Sequence, residues 1–279
     1  MDKRYAQVIV LFLFTSVLAG YALIDVSTKY EELTWIQDAS RRLRRTDNIW
    51  YTCTMTLTAE AVSFTEQIEV RGNQLTGEWV AEYYTTDEDG TRRILKSFCD
   101  GRKRYDYVDW TGEWEEKPFS DITMPDFEVP YVLNYGEADI AEVEQRQEGT
   151  DTTVTIALTK EYLAGLISEH YDEAQALYEG YRRAETSPLS QGMLELGMER
   201  YERMRIENAR QIYAADADKV LRSVEYDAAV CVPEIVTDEQ GQTALGKEKT
   251  ILFRHRIEIK GYNEQQILDA IEQCGSEVW

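Results

Sequence analysis

WYTCTMTLTA, residues 50–59, alternates two kinds of side chain with a period of two. One set of positions holds the larger, less polar side chains of Tyr51, Cys53, Met55 and Leu57, and threonine fills the positions between them. Successive side chains of a β-strand point to opposite faces. The pattern therefore predicts a strand with one buried face and one face covered by threonine.

Further strand-like runs lie downstream of this stretch, separated by turn residues. Three of them are FTEQIEV (64–70), GEWVAEYY (77–84) and TRRILKSFC (91–99). Their spacing is typical of an antiparallel meander. Asp100-Gly101 and Thr111-Gly112 then mark two hairpin turns, and Asp-Gly favours a type I′ turn. The aromatic and charged stretch 96–117 is therefore interpreted as hairpin architecture and not as a reactive site.

Helical periodicity occurs in four places. The first helix places Leu33 and Ile36 on one face, and the second is capped by Thr159. A third begins near Pro188, and a short one covers 264–274. Most of the remaining sequence from residue 209 onward is predicted to be strand. This order of elements predicts an α+β fold with one antiparallel sheet and helices packed on it, as a single domain over residues 25–279.

The N-terminus carries a membrane signal. Lys3 and Arg4 precede an uncharged run from Val8 to Ile24, and about 17–25 apolar residues are needed to span a bilayer. Residues 1–24 are predicted to be either a cleaved signal sequence or an uncleaved hydrophobic anchor helix. Positive charge before the run orients the body of the chain outside the cytoplasm, tethered to the cell membrane (N-in, C-out) or secreted after cleavage.

The charge of the chain restricts its partners. With 52 acidic and 30 basic residues, its formal net charge is -22. Nucleic acids and anionic lipid surfaces are repelled by such a protein overall. We therefore expect no nucleic-acid partner. The expected partners are the membrane through residues 1–24, and either a hydrophobic small molecule or an envelope protein.

The four cysteines have two interpretations. They are an even set, and disulfides persist outside the cytoplasm. In a reducing exterior, all four would instead be small buried hydrophobes. No CxxC pair occurs, so neither a zinc ribbon nor a thioredoxin motif is predicted. If disulfides form, three pairings are available among Cys53, Cys99, Cys231 and Cys274.

The sequence contains no motif that indicates catalysis. His170 lacks the HExxH spacing and is predicted to lie on a helix face, and His255 is predicted to be a sheet-surface residue. The acidic turns at 87–90 and 216–219 lack the order of ligands of an EF-hand. Neither a GxSxG motif nor a glycine-rich phosphate loop is present. We therefore predict no catalytic residue, no metal site and no cofactor, and a protein that is not an enzyme.

Three stretches resemble the lipoprotein-carrier (LolA/LolB-like) fold, and more closely exported lipoproteins of Gram-positive bacteria with that fold. They are NIWYTCTMTLTAE (48–60) after the first helix, FCDGRKRYDYVDWTGEW (98–114) and RQIYAADADKVLRSVEYD (210–227). The resemblance implies a strongly curved antiparallel sheet, a half-barrel, with helices on its concave face and space for lipid chains between them. The chain departs from lipoproteins at Tyr21, which follows Leu18-Ala19-Gly20 where a lipobox has cysteine. No thiol is available there for lipid attachment.

Two functional hypotheses follow. In the first, the domain binds a lipid or another hydrophobic ligand between the sheet and the helices. In the second, it has a filled core and acts through its surface as an interaction or sensor protein of the cell envelope. The predicted ligand lining of the first hypothesis consists of Tyr51, Met55, Leu57 and Trp79 from the sheet, with Leu163, Ile167 and Tyr171 from the covering helix.

Overall fold

The computed structural model describes the chain from residue 31 to residue 278 with several gaps. The described ranges are 31–60, 62–87, 90–109, 111–117, 122–125, 136–168, the single positions 171, 175 and 179, 188–237 and 243–278. The predicted N-terminal segment 1–24 and His170 lie outside these ranges. Within them, no helix is long and apolar enough to cross a membrane.

Within the described ranges, eleven strands form one antiparallel sheet. They are β1 (Asn48–Ala59), β2 (Val62–Asn73), β3 (Glu78–Asp87), β4 (Gly90–Asp100), β5 (Arg104–Val108), β6 (Glu113–Lys117), β7 (Ile140–Glu148), β8 (Asp151–Leu158), β9 (Arg205–Ala215), β10 (Leu221–Thr237) and β11 (Thr243–Tyr262). Their order is β6-β5-β4-β3-β2-β1-β11-β10-β9-β8-β7. The single antiparallel sheet predicted from the sequence is thus confirmed.

The strand of the opening stretch lies in the middle of this sheet. β1 pairs with β2 on one side and with β11 on the other, so it joins an N-terminal and a C-terminal half. Register shifts occur in several strands, such as the one between Trp50 and Tyr51. Bulges of this kind bend strands and increase their twist. The sheet is curved and open, and its edge strands β6 and β7 are rich in charge, which disfavours edge-to-edge association.

Four helices accompany the sheet in the described ranges, at the places that the periodicity predicts. Thr159 caps the second one, because its Oγ1 accepts a hydrogen bond from the Tyr162 backbone N–H at 3.3 Å. A short 3-10 turn, Glu137–Asp139, precedes β7. The helices are α1 (Glu31–Leu43), α2 (160–168), α3 (Pro188–Glu202) and α4 (Gln265–Val278).

The main core lies on one face of the sheet, which we call the inner face and which carries Tyr51 and Cys53 of β1. α1 packs on this face with Leu33, Ile36 and Leu43, each at most 1% exposed. α1 thus occupies the place that the sequence predicts for it. The main core extends along the inner face from Cys99 of β4 to the strands β7 and β8 at the other end of the sheet.

The C-terminal helix packs on the opposite face, which we call the outer face. Its buried side chains Ile267, Ile271 and Cys274 contact Val80 of β3 and Phe98 of β4. Val80 and Phe98 are directly paired, and each alternates along its strand with residues of the inner face. Both side chains therefore point to the outer face. The prediction that the helices pack on a single, concave face is therefore wrong for α4. The sequence pattern shows that one stripe of α4 is buried but not which face of the sheet receives it.

The two predicted hairpins after β4 and β5 form. The first turn differs in type, because its loop has three residues, Gly101 to Lys103, and Asp100 does not have positive φ. The Asp100 carboxylate instead accepts the backbone N–H groups of Arg102 and Lys103 at 2.8 and 2.7 Å. Gly101 has φ +82, and a Cβ there would lie 2.5 Å from the carbonyl oxygen of Thr76. Glycine is required at this position by both its φ and its close approach to the neighbouring turn.

Candidate functional site

Beyond the main core, the inner face carries a second apolar surface. Directly paired residues of five neighbouring strands form a line across it, which we call the apolar row: Phe64, Leu57, Phe253, Ala228 and Ala209. Phe253 is buried, whereas Leu57, Phe64 and Ala228 are half-buried. The side chains of the apolar row are large on β2, β1 and β11, where they are two phenylalanines and a leucine, and small on β10 and β9, where they are two alanines. The row therefore leaves the most room above β10 and β9.

A second apolar group continues the surface toward the far ends of β9, β10 and β11. Val230 and Val232 are its buried members, and Met204, Ile206 and Ile251 pack against them. Met55 and Phe253 form a buried cluster on the inner face, the Met55–Phe253 cluster. Ala228 packs against both this cluster and the Val230–Val232 group. Ala228 is therefore the link that makes the two clusters one apolar surface.

Helix α3 accompanies this part of the sheet. α3 contacts β10 and β11, and the Arg200 side chain donates a hydrogen bond from Nε to the carbonyl oxygen of Pro233 at 2.8 Å. Burial lowers the pKa of Arg200. The rings of Tyr171 and Tyr201 lie 6.0 Å apart. The Tyr171 hydroxyl donates to Glu202 at 2.6 Å, which ties the segment after α2 to the end of α3.

The predicted ligand-lining residues lie in different parts of the fold. Tyr51 and Trp79 are almost completely buried in the main core. Their polar atoms are bound by the segment 122–125, since the Tyr51 hydroxyl donates to the carbonyl oxygen of Pro125 and Trp79 Nε1 donates to that of Ile122 at 2.7 Å. They are thus covered by another segment of the chain and do not adjoin the apolar row.

Of the other predicted lining residues, Met55 and Leu57 lie at the apolar row. Met55 and Leu57 belong to its Phe253 cluster. Leu163 is 1% exposed, and Ile167 is half-buried. Tyr171, described above, contacts the end of α3.

A line of more polar residues separates the main core from the apolar row, and we call it the polar belt. Its directly paired members are Glu66, Met55, His255, Tyr226 and Gln211. Burial raises the pKa of the half-buried Glu66 carboxyl and that of the Tyr226 hydroxyl. The belt offers hydrogen-bonding groups along one side of an apolar surface.

His255 is placed differently from its prediction as a sheet-surface residue. It lies on the inner face, half-buried, with its Nε2 2.8 Å from the Cys53 thiol sulfur. Its ring is 6.0 Å from that of Tyr226 and 6.5 Å from that of Phe253. The flanking arginines Arg254 and Arg256 lie on the other face, because side chains alternate along β11. The same alternation, read from the sequence, could have predicted that His255 and its flanking arginines lie on opposite faces.

The four cysteines are buried, and none of them forms a disulfide in the structure. Cys53 and Cys99 lie on strands three spacings apart, about 14 Å, whereas bridged cysteines have Cα atoms within about 7 Å. Cys274 belongs to the outer-face cluster of α4. Burial raises the pKa of Cys99, and it raises that of Cys274 to about 11, so these two thiols are protonated at neutral pH.

A buried ionic group lies at the other end of the inner face, on β4 and β5. The Asp106 carboxylate accepts hydrogen bonds from Ser97 Oγ at 2.7 Å and from Arg104 Nε at 2.9 Å. The Arg104 guanidinium carbon lies 5.9 Å from the centre of the Trp79 ring. These contacts satisfy the buried carboxylate within the protein, so the group has a structural role. Across the described ranges, no three or more His, Cys, Asp and Glu side chains gather to hold a metal ion.

The sequence matches no known protein family and no curated protein. Among solved structures, the chain is similar to the Mycobacterium tuberculosis lipoprotein LppX, with 10% identity over 85% of this chain and 97% of that one and a TM-score of 0.37. It is also similar to LprF from Mycobacterium bovis, with 10% identity over 83% and 92% of the two chains and a TM-score of 0.35. LppX is named as a lipoprotein, the class of exported protein that the sequence resembles. A likeness of this extent carries no information about ligands.

Proposed function

We propose that this chain is a non-enzymatic binding protein that works outside the cytoplasm and holds a lipid or another hydrophobic ligand. The ligand would lie between the inner face and the helices α2 and α3, within the half-barrel that the resemblance implies. The observation that carries the proposal is the apolar row, an apolar surface on the inner face that is separate from the main core under α1.

The size of the apolar row suits an extended apolar molecule. It crosses five strands, which is about 19 Å at a strand spacing of about 4.8 Å. Its members Leu57, Phe64 and Ala228 are only half-buried, whereas the residues that form the neighbouring main core are buried. Apolar side chains that stay partly exposed beside a closed core are typical of ligand-binding grooves.

The polar belt supports a ligand with at least one polar group. Glu66, His255 and Gln211 border the apolar row on its core side. A few well-placed polar groups fix the orientation of a ligand in an otherwise apolar site. The proposed ligand is therefore an amphiphile whose apolar part lies on the apolar row and whose polar part reaches the belt.

A second candidate function, interaction with another envelope protein, is favoured by the shape of the β10–β11 hairpin. β9 pairs with β10 only as far as Cys231, and β1 pairs with β11 only from Leu252 onward. The two strands continue beyond these points as a two-stranded ribbon that ends at Thr237 and Thr243. Val236 on this ribbon is 41% exposed. Residues 1–24, the predicted anchor, would hold the chain at the membrane whether it binds a hydrophobic ligand or another envelope protein.

The proposal is tested by extracting the purified chain with organic solvent, identifying lipids by mass spectrometry, and titrating a lipophilic fluorescent probe. Leu57→Glu places a charge on the apolar row and is expected to weaken probe binding at least about tenfold, which corresponds to about 1.4 kcal/mol. Leu252→Glu is the matched control, because Leu252 is 55% exposed on the outer face. Absence of both extracted lipid and probe binding would contradict the ligand-binding proposal and favour the interaction protein.

A further inference from the structure

Three side chains with sulfur or imidazole donor atoms lie on one face where β1 and β11 pair in the middle of the sheet. Met55 lies directly opposite His255, and Cys53 precedes Met55 by two residues on the same face. The Cys53 Sγ is 2.8 Å from His255 Nε2. The thiol and the imidazole nitrogen are hydrogen-bonded, and both can bind one ion once this hydrogen bond opens, because metal–sulfur and metal–nitrogen bonds are each about 2.0–2.3 Å long.

Met55 can supply a third donor to the same point. Directly opposed residues on neighbouring strands have Cβ atoms about 4.5–5.5 Å apart, within reach of long side chains. The methionine side chain is unbranched and has three rotatable bonds, so its sulfur can turn toward the imidazole. We propose that Cys53, Met55 and His255 form a binding site for a single Cu(I) ion.

The donor set favours a soft ion. Thiolate and thioether sulfur select Cu(I), and imidazole also binds copper. Zn²⁺ prefers four ligands in a tetrahedral structural site, and no group of three His, Cys, Asp or Glu is gathered anywhere in the ranges that the structure describes. Because a thioether is neutral and weakly donating, this set of ligands suits Cu(I) and not a harder divalent ion.

The surroundings favour a singly charged ion as well. Cys53 and Met55 are 4% and 8% exposed, and Phe253 and Tyr226 flank the imidazole ring. Cu(I) bound to one thiolate is neutral overall, whereas a divalent ion on the same ligands would leave a net positive charge among apolar and aromatic side chains. Burial of an uncompensated charge is costly.

Binding is accompanied by the release of one proton. The Cu–S bond forms as the S–H bond of Cys53 breaks, and the proton passes to the solvent. No change of oxidation state is involved, because the copper is supplied as Cu(I) and remains Cu(I). Proton release in an unbuffered titration therefore reports how much copper is bound through the thiolate.

The test is an anaerobic competition between the purified full chain and a chromophoric Cu(I) chelator, bicinchoninate. The chain is expected to retain one Cu(I), with release of one proton. Cys53→Ser is expected to abolish retention. Met55→Leu is expected to weaken it at least about tenfold, since loss of even an outer-shell partner typically costs about 10- to 100-fold in metal affinity. Cys231→Ser is the control thiol variant and should bind as the parent chain does.

A second measurement keeps the test decisive if a variant folds poorly. The sequence has only two histidines, so the imidazole signals in an NMR spectrum are simple to assign with His255→Gln. Addition of Ag(I), a redox-inert analogue of Cu(I), should shift the His255 signals and leave those of His170 unchanged. Failure of the parent chain to retain Cu(I), equal retention by Cys53→Ser, or equal affinity for Zn²⁺ would overturn the proposal. Because Met55 and His255 also belong to the polar belt, Cys53→Ser, which lies outside the belt, is the variant that separates the copper site from the proposed ligand surface.

Discussion

Substitution of Ala228 by leucine distinguishes an open apolar row from a filled interior. Ala228 faces Phe253 on one side and Ala209 on the other, and it is half-buried. Leucine adds three carbon atoms, and each buried methylene contributes about 0.8 kcal/mol. If the new side chain lies in space that a ligand would occupy, it gains up to about 2.4 kcal/mol and removes the room for the ligand.

The two possibilities differ in the sign of the stability change. An open row predicts that Ala228→Leu unfolds at the same or a higher urea concentration than the parent chain and binds the lipophilic probe at least about tenfold more weakly. A filled interior predicts a loss of about 1–3 kcal/mol, because extra atoms in a packed core force strain. Urea unfolding and probe titration measure both quantities on the same samples.

The matched control is Ala214→Leu. Ala214 is also half-buried and lies on a neighbouring strand, but its side chain belongs to the outer face, opposite Ser223 and Thr153. It should leave probe binding unchanged. A destabilised Ala228→Leu that still binds the probe with the parent affinity would refute the assignment of the ligand to the apolar row.

Two further predictions concern the fold. Gly101→Ala should destabilise the chain by more than the about 1–2 kcal/mol of a left-handed backbone alone, because a backbone carbonyl also blocks its Cβ; Gly90→Ala, with φ +110 and nothing within 4 Å, is the control, and equal losses in urea unfolding would contradict this reasoning. Burial alone would raise the pKa of Asp227, but hydrogen bonds from Arg254 and Arg210 outweigh it and lower the pKa. The stability this carboxylate contributes is present above the ordinary carboxyl range and is lost as the pH falls through the lowered pKa. Asp227→Asn should flatten the acid side of the stability–pH curve, and an unchanged curve would argue against it.

The elements of this fold follow from local signals in the sequence. The alternation of Tyr51, Cys53 and Met55 with threonine is a property of ten consecutive residues, and it correctly gives a strand with one buried face. The cap at Thr159 and the start of α3 at Pro188 are equally local. Backbone geometry and side-chain spacing determine these features within one segment, so they can be recognised without knowing the neighbours of that segment.

The contacts between elements cannot be predicted from such local signals. The buried stripe of α4 meets Val80 and Phe98, which alternate along their strands with residues of the main core. Trp79 and Tyr51 lie on the inner face, but the segment 122–125 covers them. Period-two alternation assigns a side chain to a face and says nothing about what covers that face.

The pairing of β1 with β11 shows why the chemistry of a sheet is the hardest part to predict. Cys53 and His255 are 202 positions apart in the chain, yet they are in contact because two strands align in one register. A shift of that register by one residue would turn His255 to the outer face, among the arginines that surround it in the sequence. The bulge between Trp50 and Tyr51 helps to set the register.

The polar belt, the apolar row and the cluster of soft donor atoms are therefore consequences of one alignment. Any change that moves this alignment should remove all three together, whereas Leu57→Glu, which changes only the apolar row, should leave the polar belt and the donor cluster in place.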